Sequence, residues 1–288
     1  MKPTAKLACM TWIYNKHPFE QSLASIAKAG YKYVSFGLPH EGKPAFDDQA
    51  EGEAERISAL LDKYGLKPVS LVSSDVLKPA QPFEKAISRL DFAKAIGVEE
   101  LLSVGTTSYR RFPSEPLTEE EMRGPDQAFA DKYRQVGEEA GKRGLVVSIK
   151  PHTGNTATAE VIAKTLKTIG SPHIVGSYDP GNVRFYEGIE PAVDFPAIAA
   201  QTVSLVAKDH QGARAESNFP LPGEGDVDFA AIFATLRSVN FTGPVIVERL
   251  DGDGTYNANS PIEVLDERIA AARVNLERLL VEAGFDVQ

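Results

Sequence analysis

The chain has 288 residues, 42% of them hydrophobic and 25% charged, a balance that excludes disordered and fibrous classes and leaves length for one large core or two small ones. Its formal net charge of −9 argues against general binding to phosphate backbones, so small polar substrates are expected and nucleic acid is not. No stretch reaches the roughly 18 uninterrupted apolar residues of a membrane helix, and a single cysteine, Cys9, excludes an internal disulfide or a cysteine-rich zinc site.

The opening run MKPTAKLACMTWIY has a short, broken apolar stretch with polar residues immediately after it. It is read as a first strand, Leu7–Trp12, rather than a signal peptide, and a reducing cytoplasm is the simplest compartment. Seven more β-rich runs follow at Lys32–Phe36, Pro68–Val72, Glu100–Val104, Leu145–Ile149, Ile174–Tyr178, Val203–Ala207 and Val245–Val247. Between them apolar residues recur at helical spacing: Phe19, Leu23 and Ile26; Ile57, Leu60, Leu61 and Tyr64; Phe83, Ile87 and Leu90. The series continues with Ile162, Leu166 and Ile169, then Phe229, Ile232, Phe233 and Leu236, and closes on Leu265, Ile269 and Leu276. Gly30, Gly65, Gly97, Gly144 and Gly170 stand where these windows end, as left-handed helix caps require. The longest break, Gly105–Met122, reads as a loop rich in Ser, Pro and charge that overhangs whatever the strands build.

Eight strands alternating with helix-sized segments imply parallel pairing. Strands apolar nearly throughout suit a sheet covered by helices. An open doubly wound sheet usually carries a glycine-rich phosphate turn after its first strand, and here that strand leads into TWIYNKHPF. The expectation is therefore an α/β fold, a closed (β/α)8 TIM barrel spanning residues 1–288 as one domain.

In such a barrel the reactive groups stand at the carboxyl ends of the strands. Strand five ends in Lys150-Pro151-His152, strand six in Asp179 with Asn182 beyond, and strand seven in Lys208-Asp209-His210 with Arg214 beyond. Strand eight ends in Glu248, and strand two runs on to His40. Singly, each has a bland reading: Asp179 before Pro-Gly as a turn former, Lys208-Asp209 as a surface ion pair, His173 and His17 as structural or loop residues. Four consecutive strands placing ionisable groups at one end point instead to a catalytic mouth. Side chains two apart share a face of a strand, so Lys150 pairs with His152, and Val206 with Lys208 and His210.

The segments LVVSIKPHTG, SYDPGN, AKDHQGAR, PGEGDVDFAAIFATLRSVNFTGPVIVER and KAGYKYVSFG resemble the sugar phosphate isomerase/epimerase group with the xylose isomerase-like TIM barrel. The resemblance covers nearly the whole chain and is densest from Gly144 to Arg249. It implies chemistry on carbohydrates, in a family that includes ketose epimerases, aldose–ketose isomerases, inosose dehydratases and a DNA-repair endonuclease branch. The family's multi-zinc nuclease centre needs more His than the 5 present here. The resemblance also implies one divalent metal, held by a Glu, an Asp, a His and a Glu on strands five to eight, and often a homo-oligomer. Asp179 and Glu248 match two of those ligands. Lys150 stands in place of the first Glu, and Val206 in place of the His.

Three outcomes follow from that departure. His152 and His210 complete a metal set with Asp179 and Glu248, suited to manganese, magnesium, iron or zinc, and a neutral Lys150 acts as base. Alternatively the Lys150 ammonium takes over the metal's role, polarising a carbonyl while Glu248 or Asp179 moves the proton. In the third, Lys150 is a Schiff-base nucleophile. The functional expectation is a sugar or keto-polyol isomerase or epimerase that removes a proton beside a carbonyl. Lys150, Glu248 and Lys208 are the catalytic candidates, and His40, Asn182 and Arg214 the substrate contacts. A dehydratase or lyase on a keto-inositol or 3-keto sugar is the second reading, and a non-catalytic sugar-binding protein the third.

Overall fold

The structure is a computed structural model describing residues 3–288. Eight strands, β1 Thr4–Met10, β2 Tyr33–Phe36, β3 Lys67–Val72, β4 Glu100–Val104, β5 Val146–Lys150, β6 Ile174–Tyr178, β7 Thr202–Val206 and β8 Gly243–Val247, pair in parallel in chain order. β8 returns to β1 in the register Ala5↔Gly243 through Cys9↔Val247, which closes the barrel. An outer ring of helices covers it: α1 Phe19–Lys28, α2 Glu53–Lys63, α3 Phe83–Ala95, α4 Glu119–Arg143, α5 Ala159–Ile169, α6 Phe229–Ser238 and α7 Ile262–Glu282. After β6 the ring is thin, because only short helical turns span Pro180–Asp194. The closed eight-stranded parallel barrel is the one the sequence led us to expect.

Alternation along the strands sorts the side chains. Outward residues such as Val147, Ile149, Leu205 and Val245 are fully buried beneath the helices. They meet Leu23 and Ile26 of α1 and Phe233 and Leu236 of α6 in one continuous core, each such side chain contributing about 1.5–3 kcal/mol. Inward residues stack in layers. At the amino end the Ser148 and Ser204 hydroxyls both bond Glu100 Oε1, and Ser204 also bonds the Ser177 hydroxyl. Ala8, Leu102, Val206 and Ile246 form an apolar middle layer. Further along, strand parity brings Met10 and Lys150 to the mouth, and Lys208 and Glu248 follow just past the ends of β7 and β8.

The sequence reading needs correction in two places. β1 starts at Thr4 and ends at Met10, and Trp12 lies in a tight 3₁₀ turn, Thr11–Tyr14. The break after β4 ends at Thr118 instead of Met122, because Thr118 caps α4 in a capping box with Glu121. The acidic run Glu119–Glu121 is thus the first turn of a helix, whose buried face is Phe129, Tyr133, Val136 and Ala140. Gly124 and Pro125 inside it hide the period from a sequence reading. The remaining loop carries a small hairpin, Tyr109–Arg111 with Glu115–Pro116. Among the described residues no helix is long and apolar enough to cross a membrane.

Candidate active site

At the carboxyl end of the barrel β5 to β8 bring four charges into one ring. The Lys150 ammonium donates to Asp179 Oδ2 at 2.7 Å and to Glu248 Oε2 at 2.5 Å. Lys208 donates to Asp179 Oδ2 at 2.9 Å, to Glu248 Oε1 at 2.8 Å and to Asn182 Oδ1 at 2.9 Å. Two ammoniums and two carboxylates alternate, so the ring is neutral as a whole. Lys150, Asp179 and Lys208 are buried, and the Glu248 side chain keeps 14% of its surface. Glu248 is therefore the ring carboxylate that a ligand can reach.

Local sequence explains the ring. Asp179 caps the short helix that Pro180 opens: its Oδ1 accepts from the Asn182 N–H at 3.0 Å, leaving Oδ2 to face the lysines. A Cβ on Gly181 would lie 2.6 Å from Lys208 Cγ and 2.8 Å from its carbonyl oxygen, so glycine is what lets the lysine stem pass. Asn182 donates from Nδ2 to Pro151 O at 2.7 Å, which ties the end of β5 to this turn. Asp179-Pro-Gly is a turn former, as the bland reading held, and its second carboxylate oxygen holds two ammoniums as well. Asp209 is buried and does not pair with Lys208. It accepts backbone N–H bonds from His210, Gly223, Gly225 and Val227 at 2.8–3.1 Å, clamping the loop beyond β7 in place.

The charges set the protonation states. Burial alone would lower the Lys150 pKa, but Asp179 and Glu248 more than offset it and hold the ammonium above its ordinary range. Burial would raise Glu248, and the two lysines instead hold it well below the usual carboxylate value. Burial together with those cations pushes His152 down to about 4, so its imidazole is neutral near pH 7. Its Nε2 lies 3.0 Å from the Tyr186 hydroxyl.

A divalent metal does not fit these residues. Every carboxylate oxygen of the ring already accepts a bond from a lysine or from the Asn182 N–H. A dication placed about 4 Å from an ammonium would be repelled by ~4 kcal/mol for each at an effective dielectric near 20. The two imidazoles do not complete a set either. His210 turns away, with Nε2 at 2.7 Å from Glu216 O and its ring against Phe185 and Phe219. The chain has already left the extended form at Lys208, whose N–H bonds Val206 O, so strand parity fails before His210. Among the described residues no group of three or more His, Cys, Asp or Glu could hold a metal ion. The residues as placed therefore do not fit the expected ligand set of His152, Asp179, His210 and Glu248, and a charged Lys150 does not fit the expected neutral base.

The substrate contacts expected at His40 and Arg214 also lie elsewhere. Both His40 ring nitrogens are taken, by His17 O and Thr11 Oγ1, each at 3.0 Å. Arg214 is exposed, and its guanidinium bonds Tyr186 O at 2.6 Å and the Tyr109 hydroxyl at 2.7 Å, strapping the small hairpin to the turn after β6. Asn182 does line the mouth, in a cavity of about 670 Å³ with Lys150, His152, Lys208 and Glu248. Sequence reasoning missed Tyr186, Arg249, Tyr256 and Arg268, which line the same cavity. Arg249 carried a signal, as the neighbour of Glu248 at the end of β8. The others sit on irregular segments or a helix flank, where no periodicity points inward.

The model of the xylose isomerase-like TIM barrel family matches residues 23–273. The chain is similar to the inosose dehydratase of Glaesserella parasuis, 23% identical over 81% of this chain and 83% of that protein. It is similar to the 2-oxo-tetronate isomerase of Haemophilus influenzae, 26% identical over 83% of this chain and 90% of that one. Among solved structures, D-psicose 3-epimerase of Clostridium cellulolyticum superposes with a TM-score of 0.72 over 96% of this chain and 99% of that chain, at 13% identity.

Proposed function

The chain belongs to the xylose isomerase-like TIM barrel family, and on that premise we propose an enzyme that removes a proton beside the carbonyl of a small keto sugar or keto-polyol. One observation carries this reading. Glu248 opens onto the cavity while both of its oxygens are held by ammoniums. Glu248 takes the proton from the carbon next to the carbonyl, and the electron pair of that C–H bond moves to the carbonyl oxygen. The new oxyanion then replaces the neutralised carboxylate as partner of Lys150 and Lys208. Negative charge stays beside the same two cations throughout, which answers the objection that so stabilised a carboxylate is a weak base. A proton delivered to the same carbon from the other face by solvent, with Glu248 giving its own proton back to solvent, is epimerisation; a proton delivered by Glu248 to the former carbonyl carbon, while the neighbouring hydroxyl passes its proton to the oxyanion, is isomerisation.

A dehydratase is the second reading, favoured by the inosose dehydratase likeness and by the two ammoniums at the ring. In that case the carbanion expels a β-hydroxyl, which leaves as water with a proton from Lys150 or Lys208. Proton NMR in heavy water on a panel of keto sugars and keto-inositols tests the proposal. Exchange of a C–H beside the carbonyl, lost in Glu248→Gln by at least ~100-fold, is the expected result. Binding with neither exchange nor turnover across the panel sinks it and leaves a carbohydrate sensor.

A further inference from the structure

The chain carries a formal net charge of −9, yet its mouth is cationic. Lys16, Lys150, Lys208, Arg249 and Arg268 line the cavity against only Glu248 and Asp251. Most of those cations are paired. Lys150 and Lys208 share Asp179 and Glu248, and Arg249 binds the two Asp251 oxygens at 2.7 and 2.9 Å. Among the described residues, Lys16 and Arg268 are the lining cations left without a carboxylate partner.

Arg268, on α7, is the better placed of the two. Its Nε donates to Leu250 O at 2.6 Å, and its guanidinium lies 4.0 Å from the centre of the Tyr256 ring. A backbone carbonyl and an aromatic face thus fix the plane of the group, and its terminal nitrogens make no hydrogen bond among the described residues. Leu250 follows Glu248 by two positions, roughly 7 Å of extended chain at most, so the guanidinium is anchored to the strand end that carries the ring carboxylate. The acids that act on Arg268 are committed elsewhere, Asp251 to Arg249 and Glu224 to Asn275 Nδ2 at 3.3 Å. A guanidinium held in one plane with its outer edge free matches a carboxylate in shape and in charge, through two parallel N–H···O bonds.

Resting on the proton-transfer reading above, we infer that the substrate is an acid sugar, a keto sugar with a carboxylate at the end of its carbon chain. Arg268 is the specificity-determining residue and takes that carboxylate through Nη1 and Nη2. The carbonyl end faces Lys150, Lys208 and Glu248, and the carboxylate points to the α7 side of the mouth. Lys16, exposed just past the Thr11–Tyr14 turn, adds attraction at longer range. An anion there also supplies a partly desolvated cation with its missing partner, which a neutral sugar cannot do.

Calorimetric titration with D-fructose, D-fructuronate and D-fructose 6-phosphate, and with the matching tagatose series, varies only the group at the terminal carbon. The acid of at least one series should bind tenfold or more tightly than the neutral sugar, about 1.4 kcal/mol. Arg268→Gln should pull that ratio toward one, and Lys16→Gln should lower it less. Arg268→Lys keeps the charge without the fork; it should retain part of the preference, and it carries the test if the Gln variant does not fold by circular dichroism. Equal affinities of acid and neutral sugar in both series, no binding by any member, tighter binding of the phosphate, or a ratio unchanged in the folded Arg268 variants each overturn the inference. Hydrogen exchange in heavy water separates it from the proton-transfer reading. Exchange as efficient with neutral keto sugars as with their acids removes the carboxylate and keeps the proton transfer. Strong acid preference in binding with no exchange on any keto compound does the reverse.

Discussion

The Lys150 ammonium sits 2.7 Å from Asp179 Oδ2 although the two residues are 29 positions apart and end adjacent strands. Neither could be buried alone: an unpaired buried charge is costly, and each makes the other tolerable.

Lys150→Met leaves three buried charges with a net deficit of one cation. Removing one partner of such a set costs about 3–5 kcal/mol, which for a chain of this size lowers Tm by roughly 2–4 °C per kcal/mol. The variant should therefore melt roughly 10 °C lower and lose C–H exchange by at least ~100-fold. Calorimetry and proton NMR read the two effects separately. Turnover unchanged on a genuine substrate would reduce Lys150 to a structural ion pair.

Protonation states make the pH profile diagnostic. His152, pushed to about 4 by burial and the neighbouring cations, stays neutral above that pH. Glu248 is held below its ordinary range and Lys150 above it. None of the three changes charge near neutrality, so the exchange rate should be level from about pH 6 to 9 and fall on the acid side only toward pH 4. An inflection near 6.5 belonging to His152 would contradict the assigned states.

How much of this was legible beforehand follows from what strand parity can carry. Lys150, Val206 and Lys208 lie within or at the edge of regular strands. Alternation gave Val206 and Lys208 a common face, and convergence of parallel strands placed Lys150, Asp179, Lys208 and Glu248 together. Past the strand ends the rule has no purchase. His210 is two residues beyond Lys208, but a backbone bond from Lys208 to Val206 O has already turned the chain, and the imidazole faces Glu216 O instead. His40 follows β2 and spends both ring nitrogens on the chain itself. Tyr186, on a wide π-helical turn at Val183–Glu187, follows neither sequence period. α4 was hidden for a different reason: its first turn is acidic, and Gly124 and Pro125 dilute its pattern before Phe129 starts the buried face.

Inside the barrel, Glu100 gives a second pH dependence, this time of stability. Desolvation raises its pKa from 4.5 to about 7, against the bonds it accepts from Ser148 and Ser204, and its Oε2 has no partner. The folded state thus binds a proton more tightly than the unfolded one. Its contribution is fully present below about pH 4.5 and is lost as pH rises through 7. The difference between those values corresponds to about 3 kcal/mol. Thermal melts of the wild type between pH 5 and 8 should lose stability across this window relative to Glu100→Gln, which carries no titrating carboxyl. Parallel curves for the two proteins would rule out an ionising Glu100.

The ring also predicts how the protein responds to metals. Two ammoniums hold the carboxylate oxygens that a divalent cation would need, and binding to the native state would stabilise it by RT ln(1 + [L]/Kd), which shows as a rise in Tm. Wild-type protein should therefore show no heat of binding with MnCl2 or MgCl2 and no Tm shift at about 1 mM, roughly what a site of Kd near 1 mM or weaker allows. Dialysis against a chelator should leave melting and C–H exchange unchanged. A gain-of-function variant checks the cause. Lys150→Glu with Val206→His puts a carboxylate and an imidazole where this chain has an ammonium and an apolar side chain, beside Asp179 and Glu248. If the ammonium is what excludes the metal, the double variant, once shown to be folded, should take up Mn2+ and gain Tm from it, while Val206→His alone should not. Stoichiometric metal in the wild-type protein, or an equal Mn2+ response in wild type and double variant, would show that the lysine–carboxylate ring opens in solution and that its charges do not decide what the mouth can hold.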